Sequence, residues 1–141
     1  MARDPESFRA SDERTDAREQ AIILLYESEQ RSISPLELLA DREIASADLT
    51  SELLTGIEAS RESIDAEIVT YAKGWALDRM PALDRAILRL AIYELISRPD
   101  VPVAVVIDEA VELAKRFSTD DSGRFVNGVL AAVAKVARPT A

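Results

Sequence analysis

The sequence predicts an all-α protein, and three features of the chain support that class. Apolar residues recur at the three- and four-residue spacing that places them on one face of a helix. No long stretch alternates between apolar and polar residues with period two, as a half-buried strand would. Prolines and a glycine lie where the apolar patterns begin or stop, as expected at helix ends. The pattern predicts six or seven helices.

The first part of the chain starts with residues 1–13, which are polar and charged and are predicted to form a disordered arm. A first helix is predicted from Asp16 to about Arg31, where apolar residues follow a helical repeat. Ser34 is suited to cap a second helix, and Pro35 is suited to its first position.

Two further helices are predicted in the middle of the chain. Residues 47–73 form one of them, because their apolar residues recur at spacings of mostly four and seven, and Gly74 suits its end. The next helix begins near Pro81, and its apolar face is so wide that it should be central and largely buried. Trp75 is predicted to be a packing anchor between bundles, whereas Tyr93 fits either a core or a partner surface.

The last two helices follow the segment "RPDVP", whose two prolines cannot lie inside a continuing helix. The segment "VPVAVVIDEAVELAKRF" is interpreted as helical throughout, although "VAVVI" alone would fit a short strand. The final helix is predicted to be capped by Thr119 or Asp120 and to run to about residue 137. A glycine costs a helix about 1 kcal/mol relative to alanine, so Gly128 is predicted to let a neighbouring helix approach closely.

The composition excludes several classes of site. Cysteine and histidine are both absent, which removes disulfides, thiolate nucleophiles, Ser-His triads and the usual zinc sites. No apolar run is long enough to span a membrane, and the N-terminus has no apolar core typical of a signal peptide. We therefore expect a cytoplasmic protein with no metal, cofactor or membrane partner.

The net charge of −9 is distributed unevenly along the chain. Residues 1–70 carry seven basic and seventeen acidic side chains, whereas residues 71–141 carry ten and nine. A phosphate-binding surface normally has a basic excess, so any contact with RNA must be local. Arg124 beside Phe125, near a helix start, suits a phosphate and a stacked base, although Phe125 would also fit core packing.

Three segments resemble the NusB family of bacterial antitermination factors. The segments "LDRAILRLAIYEL" and "DVPVAVVIDEAVELAKRFSTDDSGRFVNGVL" are similar to the C-terminal half of that family, and "AREQAIILLYESE" is similar to its first helix. The resemblance implies a NusB-like domain over residues 14–141. It also implies two packed three-helix bundles, residues 14–73 and residues 74–141, with about seven helices in total.

The resemblance also implies a function without catalysis. NusB pairs with NusE, a ribosomal small-subunit protein, and the pair binds the boxA element of nascent RNA, which helps RNA polymerase in the antitermination complex to read through terminators. Carried over to this sequence, the partner surface lies near Asp84 and Glu94. The implied RNA-binding residues are Arg14, Arg18, Tyr26, Asp121, Arg124 and Phe125.

This sequence departs from the family before the first helix, where the family has a dense run of arginine and lysine. Thr15 and Asp16 occupy positions where basic residues are expected, and residues 1–20 carry four arginines against six acids. Fewer phosphate contacts weaken RNA binding and flatten its salt dependence. The alternative is therefore a NusB-fold protein that has lost RNA binding and acts through protein contacts or as a homodimer.

An enzyme is the third class considered. The adjacent carboxylates Asp108 and Glu109, and likewise Asp120 and Asp121, diverge on a helix surface and do not form a catalytic pair. The NusB fold also occurs as the RNA-binding domain of some ribosomal RNA cytosine methyltransferases, but this sequence carries no glycine-rich cofactor loop. We therefore expect no enzymatic activity.

Overall fold

The computed structural model describes residues 5–44 and 47–140, and its regular elements there are helical, which confirms the predicted all-α class. These residues form seven α-helices: α1 (Pro5–Arg31), α2 (Pro35–Ala40), α3 (Ala47–Ala59), α4 (Arg61–Tyr71), α5 (Ala82–Ser97), α6 (Val103–Phe117) and α7 (Asp120–Ala137). One 3₁₀ turn, Leu77–Arg79, lies between α4 and α5. None of the described helices is long and apolar enough to cross a membrane.

Two compact units divide the chain, the first ending at Thr55 and the second beginning at Gly56, inside α3. The sequence-based division placed the boundary after residue 73 instead. Within the second unit, however, α4 packs against α5 and α7. Residues 61–71 therefore belong with the helices that follow them.

In the first unit, α1 contacts α2 and begins at Pro5, well before the predicted start at Asp16. A proline at the first helical position already has a helical φ, and the N–H that it lacks would be unpaired there. The apolar pattern could not reveal this extension, because Ala17 is the first residue of α1 known to be buried. Residues 1–4 of the predicted arm lie outside the described residues.

The predicted helix over residues 47–73 is two helices, because the chain leaves helical geometry at Ser60. Ser60 has φ −110° and ψ 12°, and its carbonyl accepts the first hydrogen bond of α4 from the Ile64 N–H at 2.9 Å. Serine favours such flanking positions over helix interiors. Gly74 follows α4 with φ +84°, a left-handed conformation that suits glycine, as predicted for a helix stop.

The central helix of the second unit is α5, as predicted from its wide apolar face. Every residue from Asp84 to Leu95 is buried, and α4, α6 and α7 pack around the helix. The buried cations of α5 have polar partners, as burial of charge requires. Arg85 donates to the carbonyls of Leu77 and Met80, and the Arg89 Nε donates to Asp65 Oδ1 at 2.8 Å.

Tyr93 belongs to the core of the second unit, which decides between its two interpretations. The side chain is buried, and its ring lies against Gly56 of α3. A Cβ atom at Gly56 would overlap ring atoms and the hydroxyl oxygen of Tyr93. Glycine is therefore required at residue 56 by close packing.

The prediction that Gly128 admits a neighbouring helix is wrong. Gly128 and Asn127 are exposed, and a Cβ atom at Gly128 would have no described atom outside its own helix within 4 Å. The packed glycine of α7 is Gly123, where a Cβ would lie 2.9 Å from the Lys115 Cγ of α6. The sequence spacing alone could not distinguish these two faces of α7.

Arg138, the residue after α7, links the end of α7 to the end of α5 through its side-chain hydrogen bonds. Its guanidinium donates four hydrogen bonds of 2.5–2.9 Å to backbone carbonyls, those of Glu94, Leu95, Arg98 and Val101. The last carbonyls of a helix have no partners within the helix, and a cation there also complements the helix dipole. One side chain thus caps α5 and orders the loop toward α6.

Gly56→Ala is expected to lower the free energy of unfolding by about 1–2 kcal/mol. The added methyl group overlaps the Tyr93 ring, and this overpacking destabilises the fold by more than the higher helix propensity of alanine stabilises it. Gly128→Ala is the matched control, and it should raise the free energy of unfolding by about 0.5–1 kcal/mol because its methyl group meets open space. Urea denaturation measures both, and destabilisation of the same size in both variants would contradict the packing described.

Arg138→Lys is expected to lower the free energy of unfolding by about 2 kcal/mol, although it keeps the charge. A lysine ammonium cannot reproduce the planar guanidinium group that reaches four carbonyl oxygens, so some of these oxygens lose their hydrogen bond from residue 138. Lys135→Ala, an exposed change in the last turn of α7, is the control and should be nearly neutral. Thermal unfolding measures both variants, and an unfolding midpoint of Arg138→Lys equal to that of wild type would refute this role.

Candidate functional site

The start of α7 is built by side-chain hydroxyls of the second unit. Thr119 caps the helix, since its Oγ1 accepts a hydrogen bond from the Ser122 N–H at 3.0 Å. Asp120 and Asp121 occupy the first turn, where carboxylates complement the helix dipole. Because the cap fixes the first turn, the side chains one turn later project from a defined backbone.

Arg124 projects into solvent one turn into α7. Its side chain is 74% exposed and forms an ion pair with the still more exposed Asp121. Exposed pairs of this kind contribute about 0–1 kcal/mol, so an anionic ligand can displace Asp121 at little cost. The arrangement leaves one cation available at the surface near the start of the helix.

Phe125 is half-buried and contacts the ring of Trp75, and the two centroids are 6.0 Å apart at an interplanar angle of 57°. Trp75 itself is 50% exposed, and its role as a packing anchor between bundles stays a prediction. It lies directly after Gly74, in the turn that follows α4. The two rings together form an apolar wall that solvent can reach.

These side chains line a half-open cleft of about 320 Å³, near the lower limit for small-ligand pockets. All of its lining residues belong to the second unit. They combine two aromatic rings with two carboxylates, two hydroxyls and a proline: Trp75, Phe125, Asp84, Asp121, Thr119, Ser122 and Pro81. Three of these, Asp84, Asp121 and Phe125, were candidates from the sequence.

Asp84 contributes a buried carboxylate to this cleft. The residue is 2% exposed, and the Ser122 hydroxyl donates to its Oδ2 at 3.0 Å. Its Oδ1 is buried without a hydrogen-bond partner in the described part of the chain. Burial raises the pKa of Asp84 above 3.8, against the opposing effect of hydrogen bonds from Ser122 and Ser118. Asp84 therefore lines the cleft beside Phe125 and is not itself exposed.

Glu94, the other residue of the implied partner surface, is also buried on α5. Neither carboxylate is presented to solvent, because α5 is enclosed by neighbouring helices of its unit. Direct contact of these two side chains with a protein partner is therefore not supported by their burial. A partner surface near them stays a prediction, and it would have to use exposed neighbours.

The remaining predicted RNA-binding residues lie on α1 in the first unit. Arg14 and Tyr26 are exposed, whereas Arg18 is only 5% exposed. Arg18 is therefore suited to support α1 rather than to meet a phosphate directly. The structure thus brings Asp121, Arg124 and Phe125 together at the start of α7, and it places the other three along α1.

Sequence reasoning missed the roles of Trp75, Ser122 and Pro81. A signal was present for Ser122, because it follows Thr119 at the spacing of a helix cap and its hydroxyl can reach a neighbouring helix. The described residues contain no cluster of three or more Asp or Glu side chains arranged to hold a metal ion. The cleft itself offers aromatic rings for stacking, and carboxylates and hydroxyls for hydrogen bonding.

Asp84→Asn should make the free energy of unfolding less dependent on pH. The pKa of Asp84 is raised in the folded state, so the folded protein binds this proton more tightly than the unfolded chain does. The stabilisation from the bound proton is fully present below pH 3.8 and is lost as the pH rises through the folded pKa. The variant lacks this loss, so its stability relative to wild type should increase from acid to neutral pH. Urea denaturation across that range checks it, with the exposed change Asp108→Asn as control; a constant difference would contradict the burial effect.

Comparison with known proteins gives one consistent family. The model of the NusB family matches residues 15–135 of this chain. The transcription antitermination protein NusB of Saccharopolyspora erythraea is 51% identical over 130 residues, which cover 87% of this chain and 87% of that protein. The protein of the same name from Streptomyces griseus is 50% identical over 127 residues, which cover 84% and 89%.

Solved structures agree with these sequence relatives. T. maritima NusB superposes with a TM-score of 0.80 at 35% identity, covering 86% of this chain and 90% of that one. A crystal structure of the antitermination factors NusB and NusE in complex with dsRNA gives a TM-score of 0.76 at 28% identity, covering 89% and 98%. Since the family model spans most of the chain and relatives share about half of their residues with it, the chain belongs to the NusB family.

Proposed function

We propose that this protein is a transcription antitermination factor that binds boxA-like RNA together with NusE. One observation carries the proposal: the capped start of α7 presents the exposed cation Arg124, and the next residue, Phe125, forms one wall of an open cleft. A phosphate suits the guanidinium, and an unpaired base suits the ring. Family membership supports the same function, because the related NusB and NusE structure contains RNA.

The RNA surface that we propose has few positive charges of its own. Arg14 and Tyr26 would contribute from α1, with Arg18 supporting them from its buried position. Asp121 would compete with phosphate for Arg124, because the two side chains are already paired. Such a surface binds RNA weakly alone, and contacts supplied by NusE would raise the affinity by adding a second attachment on the same RNA.

The role is one of assembly rather than catalysis. We propose that the chain holds nascent RNA beside NusE, so that the complex acts on RNA polymerase during elongation in the bacterial cytoplasm. NusE would dock near the buried Asp84 and Glu94 through exposed residues around α5. The two buried carboxylates would then shape the surface rather than form its contacts.

A second candidate is a NusB-family protein that binds protein partners, or a second copy of itself, without RNA. The observation that favours it is the acidic start of the chain, where residues 1–20 carry four arginines and six acids. Burial of Arg18 further reduces the cations available on α1. This second function predicts that the protein binds NusE, or a second copy of this chain, whether or not RNA is present.

Fluorescence anisotropy with a boxA oligonucleotide, a scrambled control, two salt concentrations and added NusE tests the proposal. Wild type should bind boxA selectively and more tightly with NusE. Arg124→Ala should weaken binding about tenfold and reduce the salt slope by about 1, whereas Phe125→Ala should lose about 1–3 kcal/mol with an unchanged slope. Asp121→Asn should strengthen binding, because it frees the Arg124 guanidinium.

Lys135→Ala is the control for loss of one positive charge on the same helix, since Lys135 is exposed in the last turn of α7. It should change binding by less than about twofold, as expected for a charge remote from the phosphate contacts. Equal affinity of wild type for boxA and scrambled RNA, with and without NusE, would overturn the RNA-binding function. Retained NusE binding under those conditions would then favour the second candidate.

A further inference from the structure

We propose that the cleft formed by Trp75, Phe125 and Asp84 selects one unpaired RNA base through its exocyclic amino group, with Asp84 Oδ1 accepting the hydrogen bond. The inference rests on the proposed RNA-binding function and adds a specificity to it. It assigns to Asp84 a contact with RNA, where the sequence had placed this residue near a protein partner. It also predicts which bases the cleft accepts and which it disfavours.

The first argument is that one oxygen of the Asp84 carboxylate, Oδ1, is buried without a hydrogen-bond partner in the described part of the chain. Its Oδ2 accepts from Ser122 at 3.0 Å, whereas its Oδ1 has no partner among the described residues although the residue is 2% exposed. A buried acceptor without a partner costs stability, so such an atom requires an explanation. Asp84 lines the cleft, and a donor on a bound ligand would complete the carboxylate.

The second argument concerns the direction of the available hydrogen bonds. Thr119 accepts from the Ser122 N–H and its hydroxyl donates to the Ser122 oxygen at 3.3 Å, while the Ser122 hydroxyl donates to Asp84. The hydroxyl donors of the cleft are therefore used within the protein. The side-chain polar groups left for a ligand are the carboxylate oxygens of Asp84 and Asp121, which accept only, and the indole N–H of Trp75, which donates.

A buried carboxylate in the cleft disfavours uracil, which is the one base without an amino group. Cytosine and adenine carry an amino group on the edge where uracil carries a carbonyl oxygen, and guanine carries an amino group at its 2-position. A carboxylate accepts from an amino group and repels a carbonyl oxygen. Trp75 and Phe125 add stacking or edge contact, which every base can make. The rings therefore supply affinity, and Asp84 supplies the discrimination against uracil.

The third argument favours a base over a cationic side chain of a protein partner. A guanidinium binds a carboxylate best through both oxygens, but Ser122 already occupies the Asp84 Oδ2. Arg124 is exposed beside the cleft and can exchange its weak pair with Asp121 for the phosphate of a nucleotide. Both features suit a nucleotide whose base enters the cleft while its phosphate meets Arg124.

The test uses boxA RNA in which single amino groups are removed one nucleotide at a time, in the presence of NusE. Cytidine is replaced by uridine, adenosine by purine riboside, and guanosine by inosine. For wild type, removal at one position should weaken binding about tenfold, as expected for loss of a hydrogen bond to a charged group. Removal at positions outside the cleft should have smaller effects that Asp84 substitutions do not alter.

Asp84→Asn should reverse the preference at that position. The Ser122 hydroxyl needs an acceptor, so it should hold the amide oxygen and leave the amide NH₂ facing the cleft, where it donates to a carbonyl. Uridine should then bind as well as or better than cytidine there. Asp108→Asn, an exposed change of equal charge on α6, is the matched control and should leave the base preference unchanged.

Trp75, the only tryptophan of the sequence, supplies a second readout that needs no variant. At saturating RNA, the amino-bearing base should alter Trp75 fluorescence, and the RNA lacking that amino group should not. Failure of wild type to distinguish boxA from scrambled RNA would overturn the proposed function and this inference together. The inference alone would be overturned if wild type binds boxA selectively but no nucleotide position depends on Asp84 or alters Trp75 emission. Loss of NusE binding by Asp84→Asn in the absence of RNA would also overturn it.

Discussion

Burial of α5 is the constraint on which the second unit depends. The residues from Asp84 to Leu95 are all buried, so the helix cannot leave a charge to solvent and each charged side chain must find its partners inside the protein. Arg85 donates to backbone carbonyls, and Arg89 pairs with Asp65. The carbonyls at the end of α5 are bonded by Arg138 from beyond α7. The same burial that stabilises the apolar core thus determines where α4, α7 and the loop after α5 are attached.

Asp84 is the place where this constraint is met only in part. Its link to Ser122 joins the start of α5 to the start of α7, and Ser122 also takes part in the cap made by Thr119. The hydroxyls that begin α7 therefore also orient a carboxylate in the cleft, and helix capping and the shape of the site depend on the same side chains. Arg124 and Phe125 follow one turn later, so their directions depend on that cap as well. The incomplete bonding of Asp84 is a local cost of the kind that folded proteins concentrate at functional sites.

The sequence predicted the helices whose apolar faces are strong, and it failed where the deciding contact is between residues distant in sequence. The limits of α5, α6 and α7 follow from Pro81, "RPDVP" and Thr119, because proline and capping residues act locally. The break at Ser60 was missed, since the apolar spacing continues across it and one backbone conformation ends the helix. Gly56 and Gly128 carry the same local cost, yet only Gly56 meets an aromatic ring, which no spacing reveals. For the site, the pair Arg124 and Phe125 could be recognised from adjacency, whereas the meeting of Asp84, Trp75 and Ser122 is produced by packing.

The charge distribution explains why such a cleft would matter for this chain. Affinity for RNA that comes from phosphate neutralisation is not selective for sequence, and it requires many cations. This protein has a net charge of −9 and an acidic start, so it gains little from that source. Selectivity through a base contact does not require a basic excess, because a carboxylate can read an amino group and an aromatic ring can stack on any base. With few phosphate contacts, the proposed RNA binding would depend more on a base in the cleft and on a partner that holds the same RNA, so a single buried aspartate would be a larger share of the specificity.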